Sequence, residues 1–379
     1  MALDSRNRTD PNQARAGLRE RLLDRIRANG PITFAEFMER ALYEPDGGFY
    51  QRPRVGEEGD FVTSPHVSPA FGALLGRQIG QVWDLLEKPP VLTVAEVGAG
   101  DGTLAGQILE AVRGVPDLAA SVRYVALERS RSGRFALAAL PLELRSALEE
   151  LEPFEGCILA NELLDNLPFR RLRRRNGRTV EVRVGTSNGS LVEVETEAPT
   201  ELLALLPGPL EEDEERPVSP HALDFVRQVA RVLKRGYCFL FDYGFSKGEK
   251  PGPVHAYRRH RVLADVLEEP GSRDVTAAVD LEAIAVEARR FKLSVWGPIS
   301  QRDALLGLGF RTWMSGQRSR QAELQLARRS RDATRLYSQR QRASILVDPA
   351  KLGGLRVLVF GTKGLPPPAA AIGDQQAGC

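Results

Sequence analysis

The feature that most constrains the fold of this chain is the stretch VLTVAEVGAGDGT at residues 91–103. Its first half is an apolar run with the length and composition of a buried β-strand. Three glycines follow, and the apolar residues beyond them recur at the spacing of one helix face (Leu104, Ile108, Leu109 and Val112). A strand, a glycine turn and a helix in this order open the ligand crevice of a doubly wound α/β domain. Because glycine has no side chain and adopts positive φ readily, such a turn lets a ligand lie against the backbone.

The spacing of the glycines separates two classes of nucleotide cofactor. A dinucleotide fingerprint requires Gly-x-Gly-x-x-Gly, with two residues between the second and the third glycine. Here only Asp101 separates Gly100 from Gly102, and Thr103 occupies the position of the third glycine of the fingerprint. A nicotinamide dehydrogenase is therefore disfavoured. The pattern Glu96-x-Gly98-x-Gly100-x-Gly102 instead resembles the first motif of class I S-adenosylmethionine methyltransferases. In that class the acidic residue orients the glycine loop and meets the amino-acid end of the cofactor, although a simple strand–helix turn remains open at this point.

A second acidic residue supports a nucleoside-type cofactor. The run Tyr124-Val-Ala-Leu predicts another buried strand, and it ends in Glu128, Arg129 and Ser130. A carboxylate at the end of the second parallel strand can accept hydrogen bonds from both ribose hydroxyls. The alternative is an ordinary surface glutamate. The glycine motif and this residue in order predict S-adenosylmethionine as the cofactor.

Two further strand ends supply candidate catalytic residues. Residues 156–160 predict a strand that ends in Asn161, Glu162 and, after two leucines, Asp165. Ligands in such sheets bind beyond the carboxyl ends of the strands, so these side chains should face the transferred methyl group. Two carboxylates could hold a guanidinium through paired hydrogen bonds; alternatively Asp165 caps the next turn and Glu162 pairs with an arginine. Residues 237–241 predict another strand whose end places Tyr243 in the wall, with structural packing as its alternative.

The overall composition excludes several classes of protein. The chain has 379 residues with 52 basic and 50 acidic side chains, so no global field attracts nucleic acid or a membrane. Its three cysteines share no metal or redox spacing, and no metal site is predicted. No apolar run reaches the roughly 18 residues of a membrane span. The N-terminus lacks a signal core and contains Asp4, Asp10 and Glu20, which argue against a transit peptide; we predict a cytoplasmic location.

Two charged segments have competing interpretations. The arginines of residues 170–175 could contact RNA, but they lack an interleaved aromatic platform, so a solvated edge strand is favoured. The turn signal Asn176-Gly177 directly after this segment predicts a hairpin. The acidic run at residues 211–215 is interpreted as a solvated surface loop.

The order of several longer segments resembles one particular family. The segments are ITFAEFMERALYEPDGGFY (32–50), GDFVTSPHVSPAFG (59–72), the glycine motif, CILANELLDNLP (157–168), DYGF (242–245), AYRRHR (256–261) and DVTAAVDLEAI (274–284). Together they are similar to the MidA/NDUFAF-seven family of S-adenosylmethionine-dependent methyltransferases over residues 18–363. Mitochondrial members of that family methylate an arginine in a respiratory complex I subunit. The family usually carries glutamate where this chain has His66.

The resemblance implies an α/β fold with a doubly wound, mostly parallel sheet of the class I methyltransferase, Rossmann-like type. We predict a disordered N-terminus (1–17), an N-terminal helical segment with an active-site loop (18–90), a methyltransferase domain (91–364) and a disordered tail (365–379). Within the domain we predict a β-hairpin insertion at 169–196 and a helical cap at about 300–345 over the substrate side. The cap should be interrupted mainly near Gly316.

These arguments predict an enzyme with a defined set of site residues. The predicted catalytic residues are Asn161, Glu162, Asp165, Asp60 and Tyr243. The predicted cofactor-binding residues are Thr63, Ser64, Pro65, Glu96, Gly98, Ala99, Gly100, Gly102, Thr103, Leu104, Glu128, Arg129, Ser130 and Asn161.

The favoured reaction is protein arginine methylation. A small-molecule N- or O-methyltransferase and a non-catalytic assembly factor are the alternatives. A protein substrate is expected, nucleic acid and membrane insertion are not, and a homodimer is left open. The identity of the substrate, the number of methyl groups added and the effect of His66 do not follow from the sequence.

Overall fold

The computed structural model describes residues 11–51, 63–246, 248–258, 261–263 and 265–373. Its helices are α1 (Pro11–Asn29), α2 (Phe34–Tyr43), α3 (Ser64–Val67), α4 (Ala70–Leu85), α5 (Thr103–Val112), α6 (Pro116–Ser121), α7 (Arg131–Leu137), α8 (Thr200–Leu203), α9 (Pro220–Val232), α10 (Leu281–Arg290), α11 (Gln301–Gly307), α12 (Phe310–Leu326), α13 (Ser330–Ala343) and α14 (Ala369–Ile372). No helix of the described segments is both long and apolar enough to cross a bilayer.

The strands are β1 (Ile32–Thr33), β2 (Leu92–Val97), β3 (Val122–Leu127), β4 (Glu143–Arg145), β5 (Phe154–Asn161), β6 (Arg170–Arg175), β7 (Arg178–Ser187), β8 (Ser190–Glu197), β9 (Glu215–Val218), β10 (Leu233–Asp242), β11 (Gly244–Phe245), β12 (His255–Arg258), β13 (Arg261–Leu263), β14 (Asp274–Thr276), β15 (Val279–Asp280), β16 (Ser294–Ser300) and β17 (Arg356–Gly361).

Seven of these strands form a central sheet in the order β16-β17-β10-β5-β2-β3-β4. The five strands from β10 to β4 are parallel, and β17 and β16 are antiparallel at one edge. The chain runs outward from β2 to β4 and then returns to add β5 on the other side of β2. The order of the strands therefore reverses between β2 and β5, which is where a doubly wound sheet binds its ligand. The predicted fold class is confirmed.

Helices cover both faces of this sheet because its strands alternate their side chains between two apolar cores. On β2, Val94 packs with α4 and α5, whereas the next residue, Ala95, packs toward α9 and α10. On β10, Phe239 and Leu240 divide between the same two cores. Parallel strands buried on both faces need near-continuous apolar runs, which is what the sequence of these strands supplies.

The insertion after β5 is larger than the predicted hairpin. β6, β7 and β8 are joined by antiparallel pairing and belong to a five-stranded sheet that also contains β1 and β9. The expectation of a solvated edge is wrong for Arg171, which is buried and paired with Glu193 and Glu215. The acidic run at residues 211–215 also forms ion pairs, since Glu215 pairs with Arg173 as well as with Arg171. Burial of an arginine requires such partners, and they come from strands distant in sequence.

The region predicted as a cap is an antiparallel pair of helices, α12 and α13. Its break lies at residues 327–329 and not near Gly316, which lies within α12. Phe310 at the start of α12 is buried in the core beneath α4. None of the described residues 300–345 lines the cavity at the reversal point of the central sheet, which is described below. The predicted position of these helices over the substrate side is therefore corrected. The short turn Ser344–Val347 that follows α13 contacts α3.

Helices extend into both of the segments that were predicted to be disordered, residues 1–17 and 365–379. Helix α1 begins at Pro11 instead of Leu18. At the other end, α14 packs on α4, where the Ala370 N–H donates to Gln78 Oε1 at 2.9 Å and the Ala369 N–H donates to Gln81 Oε1 at 2.8 Å. These glutamines satisfy amides that have no partner within the short helix. Residues 1–10 and 374–379 lie outside the described chain.

Candidate active site

A cavity of about 420 Å³ lies at the reversal point of the central sheet. Its volume falls in the range of small-molecule and cofactor pockets. The carboxyl ends of β2, β3 and β5 line it, together with α3, the start of α7, the loop after β4 and the first half of α9. Most of the predicted cofactor residues are among those lining it: Thr63, Pro65, Glu96, Gly98, Ala99, Gly100, Leu104, Glu128, Arg129, Ser130 and Asn161.

The glycine loop presents open backbone to this cavity. Gly98, Gly100 and Gly102 have φ values of 73°, 56° and 81°, which other residues adopt only with strain. A Cβ atom on Gly100 would meet no protein atom within 4 Å, whereas one on Gly98 would lie 2.9 Å from the Leu163 side chain. Gly98 is therefore required for packing, and Gly100 leaves space for a ligand. Gly102 and Thr103, at the start of α5, do not line the cavity.

Glu96 is a buried carboxyl group at the end of β2. It is 4% exposed, and the Tyr124 hydroxyl donates to its Oε2 atom at 2.6 Å. Burial raises the pKa of Glu96 to about 8, against the opposing effect of the tyrosine hydrogen bond. A cationic ligand in the cavity would reverse this shift, because a nearby positive charge favours the ionised carboxylate.

Glu128 joins the glycine loop to the end of β3. Its Oε2 atom accepts from the Gly100 N–H at 2.9 Å, and its Oε1 atom accepts from the Ser130 N–H at 2.6 Å. Each carboxylate oxygen has a second lone pair, so two ligand hydroxyls can still donate to it. Gly133 lets this assembly close, since a Cβ there would lie 2.7 Å from both Glu128 Cγ and Gly100 O. Sequence reasoning missed Gly133, which carries no motif.

Helix α3 is attached to both sides of the cavity. The His66 imidazole lies 2.8 Å from Thr63 Oγ1 through Nδ1 and 2.9 Å from Asp101 Oδ2 through Nε2. Burial opposes ionisation of Asp101, but hydrogen bonds from His66 and Thr103 lower its pKa to about 2. At the other end of the helix, the Ser64 N–H donates to Glu162 Oε1 at 3.2 Å. Ser64 itself is fully buried and does not line the cavity.

Glu162 occupies the centre of the cavity wall in an unusual backbone conformation. Its φ of 51° is left-handed, which costs a non-glycine residue about 1 kcal/mol or more. Its Oε1 atom accepts from Ser64 and from Asn161 Nδ2 at 3.2 Å, while no described residue donates to Oε2. Burial, reinforced by Asp165, raises the pKa of Glu162 to about 8. A strained, partly buried acid with a free oxygen is typical of a site that receives a cation.

Asn161 adds an unsatisfied acceptor next to this carboxyl group. Its Nδ2 donates to Glu162, but its buried Oδ1 atom has no hydrogen-bond partner among the described residues. An unpaired buried acceptor costs about 1–3 kcal/mol unless a ligand supplies the donor. The geometry therefore indicates an N–H or O–H group of a ligand at this point.

Asp165 does not line the cavity as predicted. It is buried, and it accepts from Asn166 Nδ2 at 2.8 Å and from Thr276 Oγ1 at 2.9 Å. Asp242 lies behind the same turn and accepts from three backbone amides, those of Leu163, Leu164 and Tyr243 (3.2, 2.7 and 2.8 Å). Burial raises the pKa of both aspartates, and Asp165 adds to the shift at Asp242. The turn after β5 lines the cavity with Asn161, Glu162, Leu163, Asn166 and Leu167. Asp165 lies within the 3₁₀ turn Leu164–Asn166, and its hydrogen bond with Thr276 holds its carboxyl group away from the cavity.

Tyr243 and Asp60 complete the predicted catalytic set. Tyr243 is 47% exposed and does not line the cavity. Its pKa is raised by burial and then by the charges of the Glu162 and Asp165 carboxyl groups. Asp60 lies outside the described residues.

Two tyrosines that sequence reasoning did not assign line the opposite wall. The Tyr50 hydroxyl lies 2.6 Å from Asn166 Oδ1 and 3.0 Å from Asp274 Oδ1, and the Tyr43 hydroxyl donates to the Asn166 carbonyl at 3.0 Å. The two rings stack with centroids 5.5 Å apart, and the guanidinium of Arg129 lies 4.0 Å from the Tyr43 ring centre. The only sequence signal was the pair of aromatics that bracket the turn-rich segment at residues 43–50.

A far lobe of the cavity is formed by residues that carry no sequence motif. They follow β4 or lie in the first turns of α9: Ser146, Ala147, Leu148, Glu149, His221, Asp224, Phe225 and Gln228. No cluster of three metal-ligating side chains occurs within the described ranges.

Comparison with known proteins decides the family. A family model described as S-adenosyl-L-methionine-dependent methyltransferase matches residues 74–299. A protein arginine methyltransferase NDUFAF7 homolog, mitochondrial, from Drosophila melanogaster is 30% identical over 325 residues, which are 75% of this chain and 73% of that protein. This chain belongs to the MidA/NDUFAF-seven family of S-adenosylmethionine-dependent methyltransferases.

Other members of the MidA/NDUFAF-seven family agree with this result. The mitochondrial protein arginine methyltransferase NDUFAF7 of Homo sapiens is 28% identical over 329 residues, 76% of this chain and 72% of that protein. A crystal structure from Burkholderia thailandensis, bound to S-adenosyl-homocysteine, superposes with a TM-score of 0.83 at 27% identity and covers 99% of both chains. The predicted family, the methyltransferase class and the cofactor S-adenosylmethionine are confirmed.

Proposed function

We propose that this methyltransferase transfers a methyl group from S-adenosylmethionine to an arginine side chain of a protein. The observation that carries the proposal is Glu162, a partly buried carboxyl group that lines the cavity with a free oxygen beside the unsatisfied Asn161 Oδ1 atom. A guanidinium presents several N–H donors in a plane, and it matches a carboxylate with an adjacent amide oxygen.

The cofactor half of the proposal uses the backbone of the glycine loop. We assign Gly98, Ala99 and Gly100 to contact with the cofactor, because their backbone is open to the cavity and Gly100 leaves room for a ligand. Glu128 would accept the ribose hydroxyls, and Glu96 would meet the amino-acid end. When bound, the cofactor supplies an electrophilic methyl group on a sulfonium.

The acceptor half must hold and activate a poor nucleophile. Guanidinium lone pairs are delocalised, so a carboxylate on one edge would concentrate positive charge there and orient the remaining nitrogen toward the methyl group. The new N–C bond would form as the S–C bond breaks and S-adenosylhomocysteine leaves, and the attacking nitrogen would release one proton to water. With a pKa of about 8 before the cation enters, Glu162 would ionise as the guanidinium binds, because opposite charge lowers the pKa of a carboxylic acid. The gain comes mainly from positioning.

Asp165 receives a revised role in this proposal. It supports the turn that presents Asn161 and Glu162, through Thr276 and Asn166, and we no longer assign it to grip the substrate. Tyr243, half-exposed beside Glu162, would contact the acceptor from outside the cavity.

The proposed protein substrate of this enzyme rests on the names of its relatives. Those relatives are named mitochondrial protein arginine methyltransferases, which supports a protein client such as a subunit of respiratory complex I. The cytoplasmic location and the homodimer stay predictions. A small-molecule acceptor would need the cavity to accommodate both ligands, and the partly exposed Tyr243 beside Glu162 favours access from a protein surface.

The deciding experiment separates cofactor binding from transfer. Calorimetric titration with S-adenosylmethionine should give the same affinity for the wild type and Glu162→Gln. Methyl-label transfer into acceptor proteins, followed by amino-acid analysis, should yield methylarginine with the wild type and at least about 100-fold less with the variant. Label in lysine or in a small molecule, or equal transfer by the variant, would reject the arginine assignment. Failure of the wild type to bind the cofactor would favour a non-catalytic scaffold.

A further inference from the structure

The antiparallel helices α12 and α13 form a strongly basic arm. Residues 310–343 contain nine arginines, two acidic residues and no lysine, a net charge of +7 in a chain whose net charge is +2. The two helices pack on each other, and Arg340 of α13 donates to Gln321 of α12. The arm is therefore an ordered element that concentrates positive charge within a nearly neutral protein.

In the part of the chain that the structure describes, many arginines outside the arm form ion pairs, whereas several exposed arginines of the arm do not. In the insertion sheet, Arg171 and Arg173 share Glu193 and Glu215. Within the arm, Arg320 pairs with Glu323 and Arg329 pairs with Asp332. The exposed arginines without a carboxylate partner in the described part of the chain are Arg318, Arg328, Arg331 and Arg335. These unpaired positive charges repel one another and so destabilise the arm. A partner of opposite charge would remove this repulsion.

Apolar side chains accompany these charges. Leu326, at the tip of the arm, is 86% exposed, and Tyr337 is 48% exposed two residues beyond Arg335. Arginine and tyrosine are enriched at the energetically dominant positions of protein interfaces. A leucine gains little from contact with a phosphate backbone. Among the described residues of the arm, Tyr337 is the one large aromatic side chain in the exposed class, whereas stacking of successive bases needs several. A membrane-binding helix would expose a continuous apolar face, whereas Leu324 and Ala333 are buried here.

The arm starts next to the active-site wall. The turn Ser344–Val347, directly after α13, contacts α3, whose residues Pro65 and His66 line the cavity. Arg331 lies twelve residues before the end of α13, a distance of about 18 Å along the helix. A protein segment bound at Arg331 would therefore lie about 18 Å along the helix from the turn that contacts α3.

We propose that the α12–α13 arm docks an acidic segment of the protein substrate and so selects clients at a distance from the reaction. The inference rests on the proposed function, because it assumes a protein acceptor. Arginine forks pair with carboxylates in two-point contacts. The acidic run of this chain does not supply them, since Glu211, Asp213 and Glu215 already pair with Lys250, Arg175 and Arg171.

The test uses the full chain and a fluorescein-labelled peptide of glutamate and alanine that carries a leucine near each end. Fluorescence anisotropy at low salt should show binding that the double variant Arg331→Glu/Arg335→Glu weakens by at least about tenfold. The matched control is Arg174→Glu/Arg178→Glu in the insertion sheet, which makes the same change of charge at two arginines that also lack ion pairs in the described chain. The control should change binding by less than about twofold.

Several outcomes would overturn the proposal. They are equal weakening by the control, no weakening by the arm variant, or arm-dependent binding of an RNA or of phosphatidylserine vesicles in place of the peptide. An arm-dependent dimer in sedimentation would identify a second copy of this chain as the occupant. Titration with S-adenosylmethionine should be unaffected in both variants. If methyl label enters only small molecules while the arm still binds the peptide, the arginine-methylation proposal fails and the arm docks a partner that is not a substrate.

Discussion

The part of the cavity that we propose for the cofactor and the part that we propose for the acceptor, here called the cofactor half and the acceptor half, are built in different ways. The cofactor half consists of short continuous segments at the ends of β2 and β3, and its key contacts use backbone groups such as the Gly100 N–H that donates to Glu128. The acceptor half consists of single side chains from distant parts of the chain. Tyr50, Asn166, Asp165 and Thr276 form one connected set of hydrogen bonds around the turn that carries Glu162.

This difference explains why one half can be recognised from a motif and the other cannot. A glycine loop requires particular residues at fixed spacing, because positive φ and close approach are local demands. A buried carboxyl group can be supported by any hydrogen-bond donor that the fold brings near it. The two halves also share a connection, since α3 contacts Asp101 through His66 and Glu162 through Ser64.

The largest expected effect is a loss of cofactor affinity when the glycine loop of the cofactor half is changed. Gly100→Val places a β-branched side chain at a φ of 56° and in the open space of the cavity. We expect the affinity for S-adenosylmethionine to fall by at least about 100-fold, measured by calorimetry. Gly106→Ala is the control, because a Cβ at this helical position also meets no protein atom within 4 Å. Unchanged affinity of the Val variant would place the cofactor elsewhere.

The second prediction concerns the stability of the acceptor half and its dependence on pH. The pKa of Glu162 is raised from 4.5 to about 8, so between these values the native state holds a proton that the unfolded state has released. Stability therefore decreases as the pH rises through this window. Glu162→Gln removes the titration, and the variant should gain about 2 kcal/mol relative to wild type between pH 5 and pH 8, a discounted value because the side chain is partly open to the cavity.

Urea unfolding at several pH values, without cofactor, measures this difference. A constant difference between the two proteins across the window would show that Glu162 is ionised in the free enzyme. The cofactor affinity of the same variant separates this stability effect from any damage to the glycine loop.

The third prediction tests the connection between the halves. His66→Ala removes contacts with both Thr63 and Asp101, and we expect cofactor affinity to fall about tenfold. His66→Gln should recover most of it, because its amide can still donate to Asp101. Calorimetry and thermal unfolding are measured together. A loss of melting temperature without a change in affinity would assign His66 a purely structural role.

The smallest effect is expected in the tyrosine wall. Tyr50→Phe removes the hydroxyl near Asn166 and Asp274 and should lower the free energy of unfolding by about 1 kcal/mol with little change in cofactor affinity. Tyr337→Phe, on the exposed arm, is the control and should have no measurable effect in the same urea titration. A fall in cofactor affinity in Tyr50→Phe would show that this wall belongs to the cofactor half.

Much of the fold was predictable because its signals are local. One such local signal is the pair Thr33 and Glu36, which have the residue types and the spacing of a capping box. In the structure α2 begins directly after Thr33, and the Glu36 N–H donates to Thr33 Oγ1 at 3.0 Å. The apolar runs of the parallel strands and the glycine loop predict the sheet and its crevice. The ends of the chain were less predictable: α14 is ordered by Gln78 and Gln81 of α4, contacts between segments almost 300 residues apart.

The sequence alone determined the cofactor class, the fold class and the identity of Glu162 as a candidate, because each depends on a residue pattern at the end of a strand. Only the tertiary structure decided which way the side chains of the following turn point. Asp165 is three residues from Glu162, yet its carboxyl group is bound by Thr276 from β14 and faces away from the cavity. Tyr50 and Gly133 also line the cavity, although no sequence motif marks them. Long-range packing determines which side chains meet at a site, whereas the backbone of a glycine loop itself determines what the loop can bind.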